Sequence, residues 1–144
     1  MNKEDIAYIA GIVDGEGSLG VYKYKNSRTG YVQYRAALQI GNTNEELISW
    51  LSHKLHINNY LKAYNSHPNG KPIYSVHLTG KKTIALIPLI LPHLIVKRRV
   101  SLLILDFYRK SLAIPGKRDL PQVEKDRRDQ LVQETKRLNH QGFI

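Results

Sequence analysis

The chain has 144 residues, with 22 Lys and Arg against 12 Asp and Glu and a formal charge of +10, for a pI near 9.8. That length suits one domain, 1–144, with a real core, and the charge favours a polyanionic partner, nucleic acid first. The absence of cysteine excludes disulfides and thiolate chemistry, no apolar run approaches the roughly 20 residues of a membrane span, and the acidic start Met1-Asn2-Lys3-Glu4-Asp5 is neither a signal nor a transit sequence, so an intracellular place in cytoplasm, nucleoid or organelle is expected.

Asn2 is placed to cap a first helix over about residues 3 to 14, with Asp5 three positions on in a capping-box-like relation. At a pitch of about 100° per residue, Ile6, Ile9, Ala10 and Val13 share one apolar face, while Tyr8, Gly11, Ile12 and Gly15 form a second stripe almost opposite. A helix that is apolar all round must be covered all round. One face has its own domain to pack on. The other, with glycines spaced for close backbone approach, asks for a second helix, and a second copy of the chain is the simplest supplier.

After Gly17 the period changes to two: Leu19 and Val21 alternate with Tyr22 and Tyr24, and Lys23 and Lys25 mark the emerging strand end. Asn26-Ser27-Arg28-Thr29-Gly30 is the turn, and the return strand sets Ala36, Leu38 and Ile40 on one side and Gln33, Arg35 and Gln39 on the other. Thr43-Asn44-Glu45-Glu46 reads as a capping box opening a helix with Leu47, Ile48, Leu51 and Leu55 as its apolar stripe. A second strand pair, Tyr60 to Tyr64 and Ile73 to Leu78, flanks the turn-forming run His67-Pro68-Asn69-Gly70-Lys71-Pro72. From Lys81 the chain reads as helical, broken at Pro88, Pro92 and Pro115-Gly116, with a charged last helix from about Gln122 to Asn139. The order is helix, two strands, helix, two strands, helices, an α+β arrangement.

The run Ile9-Ala10-Gly11-Ile12-Val13-Asp14-Gly15-Glu16-Gly17 ends its helix on a carboxylate between glycines, which helix formation alone does not require. It resembles the signature of the LAGLIDADG homing endonucleases over all nine motif positions, with Glu16 at the second acidic position. The resemblance implies an αββαββα domain whose antiparallel sheet forms a DNA-binding saddle. One motif per chain implies a homodimer joined through Tyr8, Gly11, Ile12 and Gly15. Gly15 and Glu16 then hold a catalytic divalent cation, for which Mg²⁺ suits all-oxygen ligands. Asp14 is either a further ligand or an acceptor for nearby backbone amides. Asn42 falls where the family usually places a polar residue that organises water, and Lys97 where it often places a lysine near the scissile phosphate; as plain sequence, the first is a residue of a helix-initiating loop and the second part of a solvated basic run.

The polar strand faces carry the recognition argument. Tyr22, Tyr24, Gln33, Arg35 and Gln39 on the first pair, and Lys62, Tyr64, Ser75 and His77 on the second, suit base edges in the major groove, where Arg pairs with guanine and Gln with adenine. Asn26, Arg28, Lys71 and Lys117 lie in turns and loops beside them and are expected to contact DNA, Lys117 through its backbone phosphates. The bland alternative is a solvated sheet face. Three other patterns fail. Gly15-Glu16-Gly17-Ser18-Leu19-Gly20 joins helix to strand, the reverse of a dinucleotide fingerprint. Thr79-Gly80-Lys81-Lys82-Thr83 lacks the first glycine and the hydroxyl of a phosphate loop. His53 and His56 have no companion ligand. The expected function is metal-dependent double-strand cleavage of a long, roughly palindromic DNA site, with short 3′ overhangs and intron or intein mobility implied by the resemblance. The alternatives are an RNA-binding intron maturase and a DNA-binding regulator that does not cut.

Overall fold

A computed structural model describes residues 1–64, 70–114 and 119–141. The elements run α1 (Lys3–Glu16), β1 (Gly17–Lys25), β2 (Val32–Asn42), α2 (Glu45–Lys54), β3 (Leu61–Ala63), β4 (Ile73–Thr79), α3 (Lys81–Ile90), a 3-10 turn (Leu91–His93), α4 (Arg98–Ser111) and α5 (Gln122–Gln141). The four strands form one antiparallel sheet in the order β1-β2-β4-β3. The expected order of elements is the observed one.

Local chemistry accounts for the boundaries. Asn2 Oδ1 accepts the Asp5 amide at 2.8 Å and starts α1. The helix continues two residues beyond the predicted end, through Glu16, and Gly17 closes it: its amide bonds to Val13 O. A Cβ at Gly17 would stand 2.7 Å from that same oxygen, so only glycine makes so abrupt a passage from helix to strand. In the first hairpin Asn26 Oδ1 accepts the amides of Arg28 and Thr29, and Gly30 takes the left-handed φ of 74°. The cap of α2 is Asn44, whose Oδ1 accepts Leu47 N at 3.0 Å; the predicted box starting at Thr43 is one residue early. Pro88 does not break the chain but sits inside α3, which ends two residues later at Ile90. A proline this near a helix end removes one hydrogen bond and leaves little helix to disrupt.

The core fills the space between one sheet face and the helices. Leu19, Val21, Ala36, Leu38, Ile40, Val76 and Leu78 meet Ile9, Ala10 and Val13 of α1, Ile48 and Leu51 of α2, Leu86, Ile87 and Ile90 of α3, and Val100 and Ile104 of α4. The last helix, polar in sequence, closes the β1 edge. Thr135 Oγ1 accepts the Val21 amide at 3.3 Å and Asn139 Nδ2 donates to Leu19 O at 2.7 Å, so two side chains stand in for a fifth strand. Arg128 of the same helix is buried, paired with Glu124 and stacked over Tyr34 and Phe107. Hydrogen bonds from Arg127, the larger cause, and from Arg128 hold the Glu124 carboxyl down at about 2.

Candidate active site and nucleic-acid interface

Glu16 is the last residue of α1 and is exposed. The β1 to β2 register pairs Gly17 with Ile40, which brings the end of β2 back beside the end of the helix. Asn42 Nδ2 there donates to both carboxylate oxygens of Glu16, at 3.0 and 2.7 Å. Asn42 Oδ1 accepts the Asn44 amide at 2.7 Å, so the turn into α2 fixes which end of the amide faces Glu16. The carboxylate is oriented by a neutral group and stays open to a cation.

Asp14 behaves differently. It reaches across to the segment before α4, where its oxygens accept the amides of Ile95 at 2.7 Å, Val96 at 3.1 Å and Lys97 at 2.8 Å. Of the two roles open to it in the sequence, the backbone one is occupied. Lys97 is only 2% exposed, not part of a solvated basic run, and its Nζ donates to Asn139 Oδ1 at 2.9 Å. Burial lowers its pKa from the ordinary lysine value, and the Asp14 charge pulls it partly back. Asp14 thus ties the Lys97 backbone to the turn of α1 that carries Gly15 and Glu16.

Among the described residues, little covers the outer face of α1. Tyr8 is 56% exposed with its ring edge-on to Trp50 at 5.3 Å, Gly11 and Gly15 have nothing within 4 Å of where a Cβ would be, and Ile12 is half-buried. Among the described residues no group of three or more His, Cys, Asp and Glu could hold a metal ion. One chain therefore offers one carboxylate and its neighbouring carbonyl, oxygen donors that suit Mg²⁺ but fill only part of its shell. His53 and His56 are both exposed surface residues.

The outward sheet face gathers most of the predicted readers. The register sets Tyr22 opposite Arg35, Tyr24 opposite Gln33, and Gln39 opposite Ser18 on one side and His77 on the other. Facing partners project to the same side. Tyr22, Arg35, Gln39 and His77 are exposed there, with Tyr24, Gln33 and Ser75 half-buried. Several are interlocked: Tyr24 Oη donates to Gln33 Oε1, Arg35 Nη2 donates to Tyr24 Oη at 2.5 Å with the guanidinium 4.7 Å over that ring, and Ser75 Oγ lies 3.2 Å from His77 Nε2.

Two members do not join. Lys62 pairs with the buried Tyr74, so Lys62, and Tyr64 by alternation, belong to the opposite side from Ser75 and His77; Leu61 and Ala63 occupy the reading side. Lys62 Nζ lies 5.6 Å from the Tyr74 ring and 5.2 Å from that of Tyr64. Asn26 spends its side-chain oxygen on the turn, while Arg28 and Lys71 are exposed. Lys117 and His67-Pro68-Asn69 lie outside the described residues. Ser18 and Thr79, which the register adds to the face opposite Gln39 and Ala37, escaped the sequence reading. Extending the Tyr22 and Tyr24 alternation back to Ser18 would have found the first.

No family sequence model and no curated protein sequence matches the chain. Solved structures do match. The archaeal intron-encoded homing endonuclease I-Vdi141I, complexed with DNA, superposes with a TM-score of 0.71 at 20% identity, covering 94% of this chain and 84% of that one. The homing endonuclease I-CvuI, in complex with its target in 2 mM Ca, gives 0.62 at 17% identity over 92% of this chain and 95% of that one. The LAGLIDADG homing endonuclease I-SmaMI, bound to cleaved DNA, gives 0.56 at 18% identity over 92% of this chain and 49% of that one. At these identities the likeness is one of architecture, and the fold of this chain is that of the LAGLIDADG homing endonucleases.

Proposed function

We propose that this protein is a site-specific, metal-dependent DNA endonuclease that acts as a homodimer on a long, roughly palindromic site. The observation that carries the reading is the end of α1: a single exposed carboxylate, oriented by Asn42, at the edge of a helix face that is apolar, built on Gly11 and Gly15, and little covered among the described residues. A second copy laid along that face would bring two Glu16 side chains and two Gly15 carbonyls together, where like charges repel unless a cation lies between them. The exposed sheet face, the net charge of +10 and the DNA complexes formed by the proteins of the same fold support duplex DNA as the ligand.

In this reading Glu16 and Gly15 would hold Mg²⁺, whose remaining oxygen ligands the substrate and solvent would supply. The chemistry such an ion supplies is charge stabilisation on the phosphate and a more acidic water. Asn42 keeps the Glu16 carboxylate in one orientation. Lys97 puts a positive charge near the phosphate that accumulates negative charge as the new P–O bond forms and the old one breaks. Tyr22, Gln33, Arg35, Gln39 and His77 read base edges, while Arg28 and Lys71 hold backbone.

The test is to incubate the protein with a randomised duplex DNA library in Mg²⁺ and sequence the cut ends, with Glu16→Gln as the control. A unique, two-fold related site cut by the wild type and spared by the variant is expected. Binding without cutting would assign a regulator, and selective binding of structured RNA with no cut DNA would assign the maturase reading; either result overturns the proposal.

A further inference from the structure

One of the contacts that position Lys97 belongs to the last helix, far from every motif. The Lys97 backbone amide is fixed by Asp14 and the lysine Nζ donates to Asn139 Oδ1 at 2.9 Å. Asn139 cannot turn its amide round. Nδ2 donates to Leu19 O at 2.7 Å and to Thr135 O at 2.9 Å, so both of its hydrogens are committed to carbonyls. A flipped amide would set an NH₂ against the ammonium and an oxygen against two carbonyl oxygens. With Nδ2 locked to the β1 edge, Oδ1 is held at one place, and the almost wholly buried Lys97 head is held with it.

We propose that Asn139 is a positioning residue for Lys97, its own amide fixing the ammonium relative to β1 and to the Glu16 end of α1. This rests on the endonuclease reading, in which Lys97 faces the reacting phosphate. A group held within about 0.5 Å of its working place is what such a site requires, and partners that only orient a working residue are worth about 10- to 100-fold in activity.

Thr135 provides the control. It makes a separate hydrogen bond between α5 and the β1 backbone, accepting Val21 N, and its hydroxyl donates to Val132 O rather than turning to Lys97. The experiment compares Asn139→Ala, Thr135→Val, Lys97→Met and the Lys97→Met/Asn139→Ala pair. It measures thermal melting, DNA affinity and the single-turnover cleavage rate on the site recovered from the library. Asn139→Ala is expected to slow cleavage about 10- to 100-fold at unchanged DNA affinity, Thr135→Val to lower the melting temperature but not the rate, and the double variant to be no slower than Lys97→Met alone. The proposal is overturned, with the endonuclease reading intact, if Thr135→Val slows cleavage as much as Asn139→Ala does, or if the losses from Lys97→Met and Asn139→Ala multiply. A Lys97→Met protein that cuts at the wild-type rate overturns the role of Lys97 and that of Asn139 together, as does a wild type that cuts nothing in the library.

Discussion

The two sides of α1 come from one short stretch of sequence and end in opposite conditions. Inward, Ile9, Ala10 and Val13 are fully buried, and Asp14 spends its charge on three backbone amides. Outward, Gly11 and Gly15 have nothing within 4 Å of where a Cβ would stand, Tyr8 touches α2 only through Trp50 and stays 56% exposed, and among the described residues Glu16 is bonded by the Asn42 amide alone. Two carboxylates separated by one glycine therefore do different work. The inner one completes the fold, because charge-assisted bonds to amides satisfy backbone groups that a loop would otherwise expose. The outer one and the apolar stripe beside it are left for something the fold does not contain.

The largest effect should come from Glu16→Gln, which keeps the shape of an exposed side chain and removes its charge. Cleavage should be lost while stability moves by no more than about 0.5 kcal/mol. A variant that cuts at near the wild-type rate in Mg²⁺ would sink the assignment of Glu16 as the metal-holding group.

Gly11→Leu separates a dimer from a monomer more sharply than truncation would. Within one chain nothing lies within 4 Å of the new Cβ, and leucine favours helix over glycine by several tenths of a kcal/mol to about 1 kcal/mol, so a monomer should be unharmed or stabilised. If two copies pack along this face, the side chain forces them apart. Sedimentation should then show wild-type dimers and dissociated or aggregating variant. Wild-type protein that remains monomeric at all practical concentrations without DNA would remove the outer face from the functional account.

Asp14→Ala should cost folding stability of about 3 kcal/mol, because three amides lose an ionised acceptor, measured as a shift in the urea midpoint. An unchanged midpoint with lost cleavage would place Asp14 on the outer side of the comparison and break it.

The smallest effect belongs to the sheet. Arg35→Ala should cost roughly 1 to 3 kcal/mol at one position of each half-site and leave other positions alone. Cleavage profiling against single-base site libraries measures this directly. A flat difference across all positions would make Arg35 a phosphate contact and the face a holder of backbone.

Much of this arrangement is legible without coordinates because it is local. The two stripes of α1, the Asn2 cap, the Asn26 turn and the inside-outside alternation of β1 and β2 each depend on residues a few positions apart. Glu16 could be singled out for the same reason. The misplacements are informative: Thr43 and Asn44 are both capping residues, so the choice between them depends on where the strand lets the helix begin. Pro88 could be tolerated because it lies one turn from a helix end that periodicity alone does not locate.

Which distant residues share a place is settled by packing. The sides taken by Lys62 and Ser75 depend on the register of β3 against β4, and with a period of two a slip of one residue exchanges the faces. The Glu16 to Asn42 contact depends on hairpin closure over 26 residues. The contacts of Asp14 with Ile95, Val96 and Lys97 span 81 to 83 residues, and that of Asn139 with Leu19 spans 120. The helix that ends on a carboxylate, the faces of the first hairpin and the basic charge can be read from the order of residues, because period, turn chemistry and composition are properties of neighbours or of sums. The fold alone decided that Asp14 is spent on backbone, that Lys97 is buried and that Asn139 holds it, because hydrogen bonds between remote segments depend on how helices dock, and docking has no local signature.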